Sequence, residues 1–183
     1  MSVRMSPGRL TAMLVLLAGS MSASATQSIW SNHAPNVAAQ MTGDYRNESC
    51  PKKPPAAYTG HLQLDSKYDQ SDASKSTLSG KQSKQSKELH AHLTAFNQRL
   101  AQFADYYLAA SKPQQATVAL ACLDQWLQAW AVAGALQSRE TNKTGIAARK
   151  WSLAAIASTL LKTQALSGGQ PQLSQEQEQW LAR

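Results

Sequence analysis

Residues 61 to 78 read HLQLDSKYDQSDASKSTL, and Lys67 stands directly before Tyr68 with Asp65 and Asp69 on either side. The segment is too polar for a core. Two readings of the Lys67–Tyr68 pair are open: a solvated pair without consequence, or a cationic surface presented to an acidic partner. The other residues with chemical potential are spread out. His33, His61, His90 and His92 show no metal-ligand spacing, and the last two fall on opposite flanks of a helix. No metal and no cofactor are expected. Trp126 and Trp130 lie one helical turn apart, and Trp151 opens the next helical segment. Indole faces stack on sugar rings and indole N–H groups reach hydroxyls, although Trp at helical spacing equally serves a core. Arg149 beside Lys150 can supply positive charge to a carboxylate or close a structural ion pair.

The elements that must hold these groups follow from patterning. Arg4 and Arg9, the apolar run from Leu10 to Gly19, and the small residues Ala23 and Ala25 make a cleavable secretory signal over residues 1–25. Its apolar run is too short to cross a bilayer, and no later run approaches that length, so no membrane association is expected after cleavage. Removal of the signal leaves 158 of the 183 residues, with 16 basic and 11 acidic side chains, a net of about +5. A basic exported chain is suited to polyanions. Export argues against nucleic acid, and no nucleic-acid signature is present. That leaves an acidic polysaccharide as the simplest partner class. Cys50 and Cys122 are the two cysteines, an even count that in an oxidising compartment favours one disulfide; two buried free thiols are the alternative.

Residues 26–60 form an extended tether, since Pro51, Pro54 and Pro55 oppose helix. The polar loop of residues 61–78 follows, and then helices. The first runs from about Thr77 to Ala110, carrying Leu89, Leu93, Phe96, Leu100, Phe103 and Tyr107 at spacings of 4, 3, 4, 3 and 4, one continuous stripe. Its Lys-rich start, with Lys81, Lys84 and Lys87, lacks the stripe and reads as a fraying or solvated face. Pro113 opens a second helix to about Ser138, apolar nearly all round and therefore an inner helix. A third covers about Gly145 to Leu166, with Ile146, Leu153, Ile156, Leu160 and Leu161 as its buried side. Gly168, Gly169 and Pro171 end it. Ser174 and Gln177 form a capping box for a short fourth helix that offers Trp180 and Leu181 for burial. Strand signals are absent, so the class is all-α with antiparallel helical hairpins.

Several stretches together resemble one family. SCPKKPPAAYTGHLQLDSKYDQSDASKSTL, then LACLDQWLQAWAVAGALQS and NKTGIAARKWSL, are similar to the N-terminal half of the periplasmic mannuronate-specific alginate lyases. The resemblance runs from about Ser49 to Leu153 and weakens towards Arg183. It implies a partial α/α toroid over residues 61–183 with a deep groove, a periplasmic location, and cleavage of a uronate polymer by β-elimination. It places Lys67 and Tyr68 on a lid loop that closes over the polymer. It makes Trp130, Gln137, Asn142 and Arg149 the candidates for lining the groove.

β-Elimination on a uronate makes three demands: the carboxylate must be neutralised, a base must take the C5 proton, and an acid must protonate the leaving oxygen. In the family these tasks fall to an Asn-His pair, an Arg and a Tyr, all C-terminal to the matched region. No catalytic residue is therefore expected within this chain, which reads as an incomplete copy, inactive by itself. The alternatives are a non-catalytic periplasmic binder of acidic polysaccharide and a decayed remnant. A partial toroid is also expected to expose apolar surface and to self-associate.

Overall fold

The computed structural model describes residues 45–164 and 173–183. The signal segment, the start of the tether and the Gly168–Gly169–Pro171 stop fall outside the described residues. Four α-helices are present among the described residues: α1 (Lys84–Leu108), α2 (Pro113–Val132), α3 (Lys143–Gln164) and α4 (Gln175–Leu181). A 3-10 turn at Tyr45–Asn47 precedes them. Among the described residues, strand-like pairing consists of two isolated bridges, Leu62 with Thr141 and Tyr68 with Leu78. The all-α class is as the sequence indicates.

Helix α2 is the hub. It packs against α1, α4 and the 3-10 turn, while α1 packs against α3 on another side. The expected stripe of α1 is buried from Leu89 to Tyr107. Its heart is aromatic: the Phe96 ring lies 3.6 Å from Trp130 at an interplanar angle of 5°, and Phe103 meets Trp126 edge-on at 5.2 Å. An indole N–H buried in such a core needs an acceptor, and the Pro-rich segment supplies it. Trp126 Nε1 donates to the Lys52 carbonyl at 2.9 Å and Trp130 Nε1 to the Pro55 carbonyl at 3.1 Å. Gln125 also donates to the Glu48 carbonyl at 2.6 Å, and the Cys50–Cys122 disulfide closes on the same helix. Tyr45, only 2% exposed, anchors the far end. The described part of the tether is thus a strap whose prolines hold carbonyls outward towards α2.

Two boundaries and one buried face differ from expectation. Helix α1 starts at Lys84 rather than Thr77 because the Ser83 hydroxyl accepts from the Ser86 N–H, an N-cap. Helix α2 ends at Val132, short of Ser138. Gly134, at φ 64°, turns the chain left-handed, and the N–H groups of Gly134 and Ala135 close onto the carbonyls of Ala131 and Trp130. That is a Schellman stop. Helix α3 is rotated relative to its predicted burial. Ile156 and Leu160 are buried, but Ile146, Leu153 and Leu161 are 41%, 43% and 57% exposed. Its inner face instead carries Ala148, Ser152, Thr159 and Thr163. Small residues let α3 approach α1 closely, and Asn97 donates to the Ser152 hydroxyl across the seam at 3.1 Å.

Candidate anion-binding cavity and flap

The loop that carries Lys67 and Tyr68 is a cross-linked flap. At its neck Asp65 accepts from the Ser83 N–H at 2.7 Å, and the Asp65 N–H donates to the Ser86 hydroxyl at 2.8 Å. Along its arms the Ser79 N–H donates to the Lys67 carbonyl at 2.7 Å and the Asp69 N–H to the Thr77 carbonyl at 2.8 Å. At its tip the Asp72 carboxylate gathers the N–H groups of Ser74, Ser76 and Thr77 at 2.9, 3.1 and 2.9 Å, and both serine hydroxyls. These bonds favour the ionised carboxylate. Asp72 is held well below the usual carboxylate range, first by the Ser74 hydroxyl and then by the Thr77 N–H. Asp65 and Asp69 are lowered too, chiefly by Ser83 and Ser71. The flap's three acids are therefore spent on its own architecture. Lys67 remains exposed, its ammonium 5.2 Å from the centroid of the Tyr68 ring.

A cavity of about 540 Å³ opens between the turn after α2, the outer side of α3 and the end of α4. Leu136, Leu153, Ile156 and Trp180 give it an apolar floor, and Gln137, Arg139, Arg149 and Arg183 give it a polar rim. Among the described residues, no His, Tyr, Lys, Asp or Glu side chain lines it. The turn is built under tension. Leu136 sits at φ 62°, a conformation that costs an L side chain roughly 1–2 kcal/mol. Two bonds from outside the turn hold it there: the Leu136 N–H donates to the Tyr58 carbonyl at 2.9 Å, and Trp180 Nε1 donates to the Ala135 carbonyl at 2.8 Å. Arg149 is fixed by one bond, from Nη2 to the Ser138 carbonyl at 2.6 Å, while its Nε–H is buried without a hydrogen-bond partner. The buried Nε–H is out of a ligand's reach, and any planar anion would be met by the remaining N–H groups of the two Nη atoms.

The predicted site residues separate into three groups. Gln137 and Arg149 share the cavity. Lys67 and Tyr68 ride on the flap and do not line it. Trp130 and Asn142 are engaged elsewhere. Trp130 is fully buried in the aromatic core with its N–H bonded, so it presents no face for a sugar. Asn142 clamps backbone: its carbonyl oxygen accepts from the Gly145 N–H at 2.9 Å, which caps α3, and from the Leu64 N–H at 3.3 Å, while its amide donates to the Leu64 carbonyl at 2.9 Å. Gly145 is needed beside it, because a Cβ there would stand 1.8 Å from the Leu62 carbonyl oxygen. Sequence reasoning missed Arg139, Arg183, Trp180 and Leu136 as cavity residues. The run Gln137–Ser138–Arg139 after a Gly-terminated helix was the available signal for Arg139. Nothing in the sequence marks a leucine for positive φ.

Fold and site together define an exclusively helical module, among the described residues, with a cation-rimmed cavity and a lysine-bearing flap. No protein-family model matches the chain. An alginate lyase of Pseudomonas fluorescens (strain SBW25) is 34% identical over 168 residues, which is 92% of this chain and 43% of that relative. Alginate lyases of Pseudomonas aeruginosa and Cobetia marina are also 34% identical, over 140 and 137 residues, or 36% and 35% of those relatives. The chain belongs to the alginate lyase family. It spans less than half the length of these curated relatives, in keeping with the half-length resemblance read from the sequence.

Proposed function

We propose that this chain binds alginate in the periplasm, as the substrate-gripping part of a lyase architecture whose helical hairpins belong to a larger toroid. The observation that carries the reading is Arg149: a cation at the wall of an apolar-floored cavity, pre-aimed by the bond from its Nη2 to the Ser138 carbonyl. Alginate offers one carboxylate per uronate unit. A bidentate guanidinium–carboxylate contact suits that group, Arg139 adds a second cation at the rim, and Gln137 can bond ring hydroxyls. Lys67 on the flap supplies a further ammonium for a neighbouring unit. The signal segment and the disulfide support a location outside the cytoplasm.

The cavity meets only the first demand of β-elimination, neutralising the carboxylate. Among the described residues that line it, none is placed to take the C5 proton or to return one to the leaving oxygen. His61 pairs with Glu140 at 3.1 Å, and His92 bonds the Ala56 carbonyl at 2.8 Å. The chain by itself is therefore expected to bind without cleaving. Titration with oligomannuronate by calorimetry tests the binding. Arg149→Ala removes a charge-assisted pair worth roughly 1.5–3 kcal/mol, or about 10- to 150-fold in affinity. Binding must also weaken as salt rises, because rim charges are screened. Unchanged affinity in Arg149→Ala, or ultraviolet-absorbing unsaturated uronate released by the purified chain, overturns this division of labour.

A further inference from the structure

Helix α4 is seven residues long, below the length at which a helix holds itself together in water. Polar side chains nevertheless fix it to α2. Buried Gln177 donates from Nε2 to the Asp124 carbonyl at 3.1 Å and to the Asp124 carboxylate at 2.9 Å, and the Ser174 hydroxyl donates to Gln128 Oε1 at 2.7 Å. Trp180 follows Gln177 by three residues, and its Nε1 donates to the Ala135 carbonyl at 2.8 Å. The N–H of Leu136, the residue at φ 62°, donates to the Tyr58 carbonyl at 2.9 Å. These two groups belong to one peptide unit. Its oxygen is gripped from α4 and its N–H from the strap, so its plane cannot turn over without breaking a bond. Two residues further on, the Ser138 carbonyl aims Arg149. Packing leaves the turn room to relax: a second cavity of about 250 Å³ reaches Gly134 and shares Gln137, Trp180 and Arg183 with the first.

We infer that Trp180 is a positioning residue for the anion site: its indole N–H clamps Leu136 in the left-handed conformation, and that conformation sets where Ser138 points Arg149. The role in binding rests on the reading of the cavity as a carboxylate site. A leucine freed from the clamp favours ordinary negative φ over its present conformation by about 5- to 30-fold. A ligand that needs the left-handed form then loses affinity in proportion to the molecules that have left it. An indole N–H that has simply found an acceptor makes a different prediction. Its loss would weaken the fold in the same way whatever residue stands at position 136.

Trp180→Phe keeps an aromatic ring and removes the donor. Replacement of Trp180 by 3-benzothienylalanine, with sulfur in place of the N–H, keeps the bicyclic shape and serves if the phenylalanine variant misfolds. Each is made in the parent chain and in Leu136→Gly, because glycine adopts positive φ without steric cost. Calorimetry with oligomannuronate should show an affinity loss of about 5- to 30-fold in the parent background. In the Leu136→Gly background the same change should alter affinity by no more than about twofold, the coupling that a double-mutant cycle isolates. Equal losses in the two backgrounds overturn the inference. Amide exchange at position 136 is measured in the same proteins without sugar. It should quicken when the donor is removed from the parent and stay slow beside glycine; unchanged exchange in the parent background also overturns the inference. A parent chain that does not bind oligomannuronate refutes the carboxylate reading and with it the role in binding, whereas the exchange result still decides whether Trp180 sets the Leu136 conformation.

Discussion

Asn142→Ala decides whether Asn142 is a ligand for sugar or a clamp for backbone. In the structure its side chain caps α3 at Gly145 and makes both bonds to Leu64, a residue only 2% exposed. Loss of the cap costs about 1 kcal/mol. Leaving the Leu64 N–H and carbonyl without their partner adds roughly 1–3 kcal/mol, the lower end if water reaches them. The expected total is about 2–4 kcal/mol. With a mid-range urea m-value of about 2 kcal/mol per molar, the unfolding midpoint falls by roughly 1–2 M. Asn142→Asp keeps the acceptor for both N–H groups and loses the donor to the Leu64 carbonyl, so it should fall between the parent and the alanine variant. Oligomannuronate affinity of the folded fraction should stay within about twofold in each variant, on the scale where 1.4 kcal/mol is tenfold. A midpoint that does not move, together with affinity that collapses, refutes the clamp and returns Asn142 to the binding site.

Other expectations are as direct. Removing the disulfide in Cys50→Ala/Cys122→Ala reopens a 72-residue separation and should cost about 4 kcal/mol by denaturant melting, with the strap at Tyr58 and hence the Leu136 turn loosened. Gly145→Ala drives a Cβ to 1.8 Å from the Leu62 carbonyl, so the flap arm must move away from α3; a loss of at least about 1–3 kcal/mol is expected, and an undiminished melting temperature refutes the close approach. The flap should respond to acid late. Its aspartates have folded pKa values below their unfolded ones, so their contribution is present above the usual carboxylate range and is lost as pH falls through the depressed values. Amide exchange at Ser74, Ser76 and Thr77 should therefore stay slow at pH 4, whereas Asp72→Asn should speed it at neutral pH without changing the global melt. Equal exchange in the two proteins removes the carboxylate as the organiser of the tip.

Local signals fixed local structure. The stripe from Leu89 to Tyr107, the Pro113 start of α2 and the Ser174–Gln177 capping box each depend on residues within a turn or two of one another, so spacing alone reveals them. The Gly134 stop is equally local, although apolar residues continue beyond it and mask the helix end. The family was legible for the same reason: motifs such as SKYDQSD and NKTGIAARKW are contiguous.

Orientation and convergence were not legible. Helix α3 scatters large apolar, small and cationic residues around its circumference, so its periodicity carries little information about which face turns inward; packing against α1 decided that, by favouring Ala148 and Ser152 over Leu153. The indoles of Trp126 and Trp130 look alike in sequence whether they bind sugar or fill a core, and only the strap carbonyls of Lys52 and Pro55 show the second. The cavity required Arg139, Arg149 and Arg183, far apart in the chain, to meet around a turn held at positive φ by bonds from Tyr58 and Trp180. The sequence by itself determined the helices and the ancestry, because those rest on short-range chemistry and contiguous pattern. Which face is buried, which cation is left unspent and where the cavity opens were decided by tertiary structure, because each depends on groups that only long-range packing brings within reach.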